Sequence, residues 1–253
     1  MELPGANVRP FGRAGALSVV TGLGEEAGAA LTRHHDIDFV TFTGSAEVAT
    51  RVQKAAAERT LKCVLELGGM RPRIVFEDAD LDRAASFVLK AITQNGGQTC
   101  SAGSRLLVQR SICDSFVKTV TERFAQSSAG TSAMDMVCGR LINADRQARV
   151  QGFIDQARAS GIPVLAQGRV ADEVPAGGFD VAPTMFGPVP QGHRLACPEV
   201  FGSVLAVIPF DDVEDPITRR ERARFRSARR HLDARRRAPD PRRQAHAVRA
   251  GLH

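Results

Sequence analysis

The stretch Asp38–Gly69, DFVTFTGSAEVATRVQKAAAERTLKCVLELGG, contains a complete strand–helix–strand pattern that ends in two glycines. Asp38–Phe42 and Leu61–Leu67 are short apolar runs typical of buried strands, and Ala46–Arg59 has small and apolar residues at a helical period. The inward positions of that helix would be Val48, Val52 and Ala55–Ala57. A crossover of this length favours two parallel strands, so the stretch predicts an α/β fold.

The same alternation of strands and helices continues on both sides of this stretch. Upstream, Ala16–Thr21 is typical of a buried strand and Glu25–Arg33 of a short helix. The downstream strands are predicted at Arg73–Phe76, Arg105–Gln109, Pro163–Ala166, Asp180–Met185 and Ser203–Phe210. The downstream helices are predicted from an Asp80 cap to Thr93, over Ser111–Gln126 with a Ser111 cap and Phe116, Val120 and Phe124 inward, and over Asp145–Ser160, with Ser127–Gly139 as a loop. The order predicts a parallel sheet with helices on both faces.

The composition is that of an ordinary globular protein. Of 253 residues, 43% are hydrophobic and 25% charged. No apolar run is long enough to span a bilayer, and Met1–Gly15 does not have the pattern of a signal peptide. Five cysteines without a C-x-x-C pair argue against a disulfide framework or a zinc site, and His34-His35 fits a solvated turn, so no metal site is predicted. These features favour a reduced, cytoplasmic protein.

The net charge of +6 conceals two different regions. Pro216–His253 contains thirteen arginines and three acidic residues, whereas the rest of the chain is mildly acidic. Apolar periodicity stops at Arg219, so the segment 218–253 is predicted to be a disordered, Arg-rich tail. Such a tail can bind a nucleic acid backbone, but it has one aromatic residue, Phe225, and no known module, so nucleic acid is a minor alternative partner.

The chemistry of the chain centres on Gln94–Arg105, QNGGQTCSAGSR, in which Cys100 lies among glycines and small polar residues. A thiol at the junction of a helix and a strand suits a nucleophile. The alternative is a small buried cysteine in a turn, which is the commoner use of this residue.

Two further positions suggest a site, and each has a structural alternative. Gly44 and Ser45 follow a strand at the start of a helix, where free N–H groups favour phosphate, but a plain helix cap has the same pattern. Glu66 lies in an apolar strand, where burial would raise its pKa and suit a general base, but the alternation of a strand could equally point it to solvent.

Five motifs, in this order, resemble the NAD(P)-dependent aldehyde dehydrogenase family. They are Val40–Ser45, Leu65–Gly69, Ile74–Asp82, Asn95–Arg105 and Pro198–Gly202. The resemblance covers about residues 15–217 and implies a partial Rossmann-type nucleotide domain at 1–67, followed by a parallel α/β catalytic domain at 68–217.

The resemblance also implies a reaction, the oxidation of a small aldehyde to a carboxylic acid. Cys100 would attack the aldehyde to give a thiohemiacetal, hydride transfer to NAD or NADP would leave a thioester, and Glu66 would activate the water that hydrolyses it. The residues that would bind the cofactor are Phe42, Thr43, Gly44, Ser45, Leu67, Glu199 and Phe201, with Glu199 at the nicotinamide ribose.

The departures from the family suggest a truncated member. The first half of the nucleotide-binding region and the closing strand that supports homo-oligomers are both missing from the resemblance. A catalytically inactive fragment is therefore the alternative to an active dehydrogenase, and an out-of-frame ending would account for the Arg-rich tail.

Overall fold

The computed structural model describes residues 16–69, 72–131, 138–190, 192–196 and 199–211, together with the backbone of a strand at 230–232. The chain divides into two compact units, Met1–Leu67 and Gly68–His253.

The first unit contains two parallel strands joined by a helix. Strand β1 (Phe39–Gly44) pairs with β2 (Lys62–Leu67), and helix α2 (Ala46–Ala57) connects them. A π-helical turn at Gly24–Gly28 and helix α1 (Ala29–Arg33) precede them. The register places Thr43 opposite Glu66, so the carboxyl ends of both strands meet at one edge of the sheet.

The predicted strand at Ala16–Thr21 is wrong. These residues are in an extended or bent conformation without strand pairing, and Val19 and Val20 are each 72% exposed. A strand needs a hydrogen-bonded neighbour, and the sheet of this unit consists of β1 and β2 in the described part of the chain.

Helix α2 forms as predicted, and its inner face agrees with the prediction at Ala55 and Ala56 but not at Val48. Ala49, Ala55 and Ala56 are its buried residues, whereas Val48 is 41% exposed. The face that packs on the sheet is therefore a stripe of alanines.

The second unit is built on a six-stranded sheet in the order β11-β3-β4-β10-β9-β7. Its strands are β3 (Pro72–Val75), β4 (Arg105–Gln109), β7 (Val164–Gln167), β9 (Thr184–Phe186), β10 (Val204–Phe210) and β11 (Arg230–Leu232). All neighbours are parallel except β7 and β9. The predicted α/β fold with parallel strands is confirmed.

Helices cover both faces of this sheet, as the sequence predicts. The helices are α3 (Leu81–Thr93), α4 (Cys113–Ala125) and α5 (Ala144–Ala159). One core cluster joins the strand residues Val75 and Leu106 to α3 and α4, and it includes the predicted inward residues Phe116, Val120 and Phe124. The other joins Ile74 and Leu107 to α5. Neighbouring residues of one strand thus point to opposite helical layers.

The helix boundaries follow local capping. The Asp80 side chain accepts a hydrogen bond from Arg83 N at 3.1 Å, as predicted, and Asn143 caps α5 through Arg146 N at 2.9 Å. Ser111 does not cap α4; its hydroxyl donates to Glu77 Oε2 at 2.8 Å, and a short 3₁₀ turn at Arg110–Ile112 starts the helix instead.

Two short strands lie where the sequence predicted a loop, and a third lies where no element was predicted. Strands β5 (Ser128–Gly130) and β6 (Cys138–Gly139) lie within the predicted loop at Ser127–Gly139, and β8 (Arg169–Val170) completes a second sheet in the order β6-β5-β8. The strand predicted at Asp180–Met185 starts only at Thr184. Strands of two or three residues carry too little periodicity to be read from a sequence.

Most of the predicted disordered tail at 218–253 lies outside the described residues. Arg230–Leu232 is an exception, because it forms β11 and pairs in parallel with β3. None of the helices in the described part of the chain is long and apolar enough to cross a membrane.

Candidate active site

A left-handed segment leads from helix α3 to Cys100. Asn95, Gly96 and Gly97 have φ angles of 53°, 65° and 73°. A Cβ at Gly97 would lie 2.3 Å from the carbonyl carbon of Gly202. Only glycine satisfies both the positive φ and this approach, so the neighbouring backbone of Gly202 requires glycine at position 97.

Cys100 lies at the apex of a tight turn. The Ala102 N–H donates to Thr99 O at 3.0 Å, which closes a four-residue turn with Cys100 and Ser101 in its centre. Cys100 is exposed, so the alternative of a buried structural cysteine does not apply. The thiol is accessible to a small reagent.

Gln98 fixes the amino-terminal side of this turn. Its Nε2 donates to Arg140 O and to Asn95 O, both at 3.0 Å, and its Oε1 accepts from Ile142 N at 3.0 Å. The receiving segment is itself held by an ion pair between Arg140 and Asp180, with 3.0 Å between Nε and Oδ1. One amide side chain thus links the turn to an anchored segment.

Arg73 supports the carboxyl-terminal side of the turn from within the core. This residue of β3 is 5% exposed, and its Nη2 donates to Ser101 O at 2.6 Å. The carbonyl of Ser101, on the carboxyl-terminal side of the turn, is therefore held by a buried cation.

Glu199 forms a second polar centre in this unit. Its Oε1 accepts a hydrogen bond from Gly69 N at 2.9 Å, and a Cβ at Gly68 would lie 2.4 Å from its Oε2. Partial burial raises the pKa of the Glu199 carboxyl, and the bond from Gly69 and the charges of Arg149 and Arg146 oppose that rise. Arg149 Nη2 also donates to Glu199 O at 2.7 Å.

Phe201 has a φ of 60°, which is unusual for an aromatic residue. Its ring lies under the Arg146 guanidinium, at 5.5 Å from the ring centre. The segment that contains Glu199 and Phe201 is thus held by two arginines of α5.

The first unit brings the other predicted residues to one edge. Phe42, Thr43 and Gly44 end β1, and Glu66 and Leu67 end β2. Ser45 Oγ accepts from Val48 N at 3.3 Å, which is the helix-cap alternative. A Cβ at Gly44 would lie 2.5 Å from Cζ of Phe42, so the aromatic ring covers the glycine.

Glu66 is exposed, so of the two alternatives for this residue the structure has the one that faces solvent. Burial alternates along β2, and Glu66 is on the exposed side. The strand's two-residue period gives the carboxylate to solvent, as the structural alternative anticipated.

His34, His35 and Asp36 form a group of possible metal ligands, with ligand atoms within 4.8 Å of one another. All three are exposed, in agreement with the predicted solvated turn.

The structure thus collects the predicted residues in two places. Cys100, Glu199 and Phe201 belong to the second unit, and the remaining predicted residues lie at the strand ends and the helix cap of the first. Sequence reasoning missed Arg73 and Arg149 as supports. The signal available for Arg73 was an arginine at the start of a predicted apolar strand, because a charge that is buried there needs a partner.

These observations define a class of protein: an α/β protein with a thiol exposed on a hydrogen-bonded turn. The sequence model of the aldehyde dehydrogenase family matches residues 13–228. An aldehyde dehydrogenase of Alternaria alternata is 40% identical over 206 residues, which are 80% of this chain and 41% of that protein.

Solved structures agree with this match. A Burkholderia cenocepacia chain, solved as a candidate aldehyde dehydrogenase, superposes with a TM-score of 0.83 at 43% identity, covering 89% of this chain and 47% of the other. An aldehyde dehydrogenase of Bacillus cereus in complex with NAD⁺ has a TM-score of 0.78 at 34% identity, covering 84% and 43%.

The chain belongs to the aldehyde dehydrogenase family, whose members use NAD(P). It spans about 41% of the length of the curated relatives it matches.

Proposed function

We propose that this chain carries the cysteine site of an NAD(P)-dependent aldehyde oxidation. The observation that supports this most directly is the exposed Cys100 on a turn held by Gln98 on one side and Arg73 on the other. A nucleophile has to be accessible and fixed at the same time, because freedom of the attacking atom costs rate. This turn meets both conditions.

In the proposed reaction, the Cys100 thiolate forms a bond to the aldehyde carbon and gives a thiohemiacetal. The backbone N–H of Cys100 is a donor for the oxygen that becomes negative. Bound NAD(P) would supply the acceptor for the hydride of this carbon, and Cys100 would then hold the acyl group as a thioester. Glu66 then takes a proton from water, which attacks the thioester and releases the carboxylic acid with the thiolate.

Two places in the chain have groups that suit NAD(P), and one of them includes Gly44, which is covered by an aromatic ring. The first N–H groups of α2 have no acceptor within the helix, which suits a pyrophosphate oxygen, and Glu199 offers a carboxylate to ribose hydroxyls. Phe42, Thr43, Gly44, Ser45 and Leu67 would line the first of these places, and Phe201 would lie beside the second. Since the Phe42 ring covers Gly44, binding at this glycine requires a rotation of that ring.

The test measures reduced nicotinamide formed by the purified chain from NAD⁺ and NADP⁺ with short and aromatic aldehydes. Activity should disappear in Cys100→Ala and persist in Cys63→Ala, a matched change at a half-buried cysteine of β2. Glu66→Gln should then accumulate thioester, detected as an added acyl mass on Cys100.

A soluble, folded chain that forms no reduced nicotinamide with any aldehyde would contradict the proposal and support the inactive-fragment alternative. Equal activity in wild type and Cys100→Ala would contradict the role of the cysteine.

A further inference from the structure

Arg73 occupies a site that is shaped around its side chain. The guanidinium lies over the Phe87 ring of α3, 5.2 Å from the ring centre. A Cβ at Gly103 would lie 2.8 Å from Arg73 Nε and 2.9 Å from its Cγ. The Gly103 N–H donates to Ala91 O at 3.0 Å, which joins the chain after the turn to α3. The arginine therefore passes through a gap that exists because residue 103 is glycine.

Burial makes the loss of a hydrogen bond from Arg73 costly in free energy. A cation that is 5% exposed has lost most of its hydration, and such a charge is tolerated only with good hydrogen bonds. The bond from Nη2 to Ser101 O is 2.6 Å long, and charge-assisted bonds are stronger than neutral ones. Displacement of Ser101 would therefore cost more than a loop hydrogen bond normally does.

We propose that Arg73 is a positioning residue, which fixes the turn of Cys100 by holding Ser101 O from the core. Gln98 holds the chain before Cys100, and Arg73 holds the chain after it. Both ends of the turn are thereby tied to different parts of the second unit. The bond from Arg73 to Ser101 O orders the turn whether or not the chain is catalytically active. Its effect on the rate of aldehyde oxidation rests on the proposed function.

The experiment is amide hydrogen exchange of the peptide that contains residues 99–103, in the full chain. Arg73→Met removes the donor and keeps much of the volume, and it should speed exchange of the Ala102 and Gly103 amides about tenfold or more, as loss of a charge-assisted bond implies. Arg73→Lys keeps one donor and should give an intermediate rate. Millimolar guanidinium added to Arg73→Ala should slow the exchange again.

Arg123→Met is the matched control. Arg123 is also an arginine that holds α3, through Asp82 O and Ser86 Oγ at 2.7 and 2.6 Å, near the opposite end of that helix. Its loss should change exchange at 99–103 less than twofold. A second variant, Gly103→Ala, crowds the guanidinium without removing it and should act like Arg73→Met, which decides the question if the latter does not fold.

Exchange at 99–103 that stays within twofold of wild type in Arg73→Met, or in Gly103→Ala where that variant decides, would overturn the proposal. So would an equal effect of Arg123→Met. Where aldehyde oxidation is present, Arg73→Met should lower kcat at least tenfold with KM changed less than twofold, because the turn, not substrate contact, is altered. Absence of oxidation in the wild type would contradict the proposed function alone, since the exchange result does not depend on it.

Discussion

The two units of the chain use the same kind of parallel pairing but bury their strands differently. In the first unit, β1 and β2 alternate between exposed and half-buried residues. In the second, β3 is buried throughout and β4 and β10 each have one half-buried residue. The turn of Cys100 is therefore positioned by a packed core. The carboxyl ends of β1 and β2, where the cofactor is predicted to bind, are positioned by local backbone and capping hydrogen bonds.

The largest expected effect comes from truncating one phenylalanine in each unit. Phe210 is fully buried and contacts Phe76 edge to face at 5.4 Å, so Phe210→Ala should cost about 3–5 kcal/mol of the second unit's stability. Phe39 is 51% exposed, and Phe39→Ala should cost less than about 1 kcal/mol. Native-state hydrogen exchange measures each unit separately, and equal costs would remove the contrast between them.

Glycine substitutions should separate the units next. Gly97→Ala forces an alanine into φ +73° and places its Cβ against the backbone of Gly202, so a cost of about 2–4 kcal/mol is expected. The three atoms nearest to a Cβ in Gly44→Ala all belong to the Phe42 ring, which can rotate away, so the cost should stay under about 1 kcal/mol. Denaturant titration of both variants checks this, and a larger loss in Gly44→Ala would show that the Phe42 ring is locked.

The helices and longer strands could be predicted because their signals are local. Helix α3 shows Asp80 at its start and a regular apolar face, and β10 is seven residues of almost unbroken apolar sequence. These features depend on neighbours in the sequence, which a single sequence displays. The motif around Cys100 by itself left an accessible nucleophile and a buried cysteine both open, and the family resemblance favoured the nucleophile.

The failures arise where distant residues decide. Ala16–Thr21 has the composition of a strand but no paired neighbour among the described residues, and Val48 has helical spacing while alanines form the packed face. The support of Cys100 by Arg73 depends on a contact 28 residues apart in sequence. Such contacts follow from sheet order, which residue patterns do not specify.

Capping should behave alike in both units and so sharpen the comparison. Ser45 accepts from Val48 N at 3.3 Å in the first unit, and Asn143 from Arg146 N at 2.9 Å in the second. Each change to alanine should cost about 1 kcal/mol, because a cap acts within one helical turn. Exchange of the Val48 and Arg146 amides measures the loss, and a much greater loss at Ser45 would indicate that the cap also organises the edge of β1.

The smallest effect concerns the pH dependence of the second unit. Burial raises the pKa of the Glu199 carboxyl from its ordinary value of 4.5, so the folded protein keeps this proton to higher pH than the unfolded chain. The folded state then binds more protons, and the contribution of Glu199 to the free energy of unfolding should fall as the pH rises from 4.5 through the raised pKa. Glu199→Gln keeps an acceptor for Gly69 N but cannot ionise. The stability of this variant minus that of wild type should therefore increase with pH over that window.

Urea titrations of both proteins from pH 4 to pH 8 measure this difference in the free energy of unfolding. A constant difference would mean that the bond from Gly69 and the nearby charges of Arg149 and Arg146 offset the burial, and that Glu199 is as well accommodated charged as neutral.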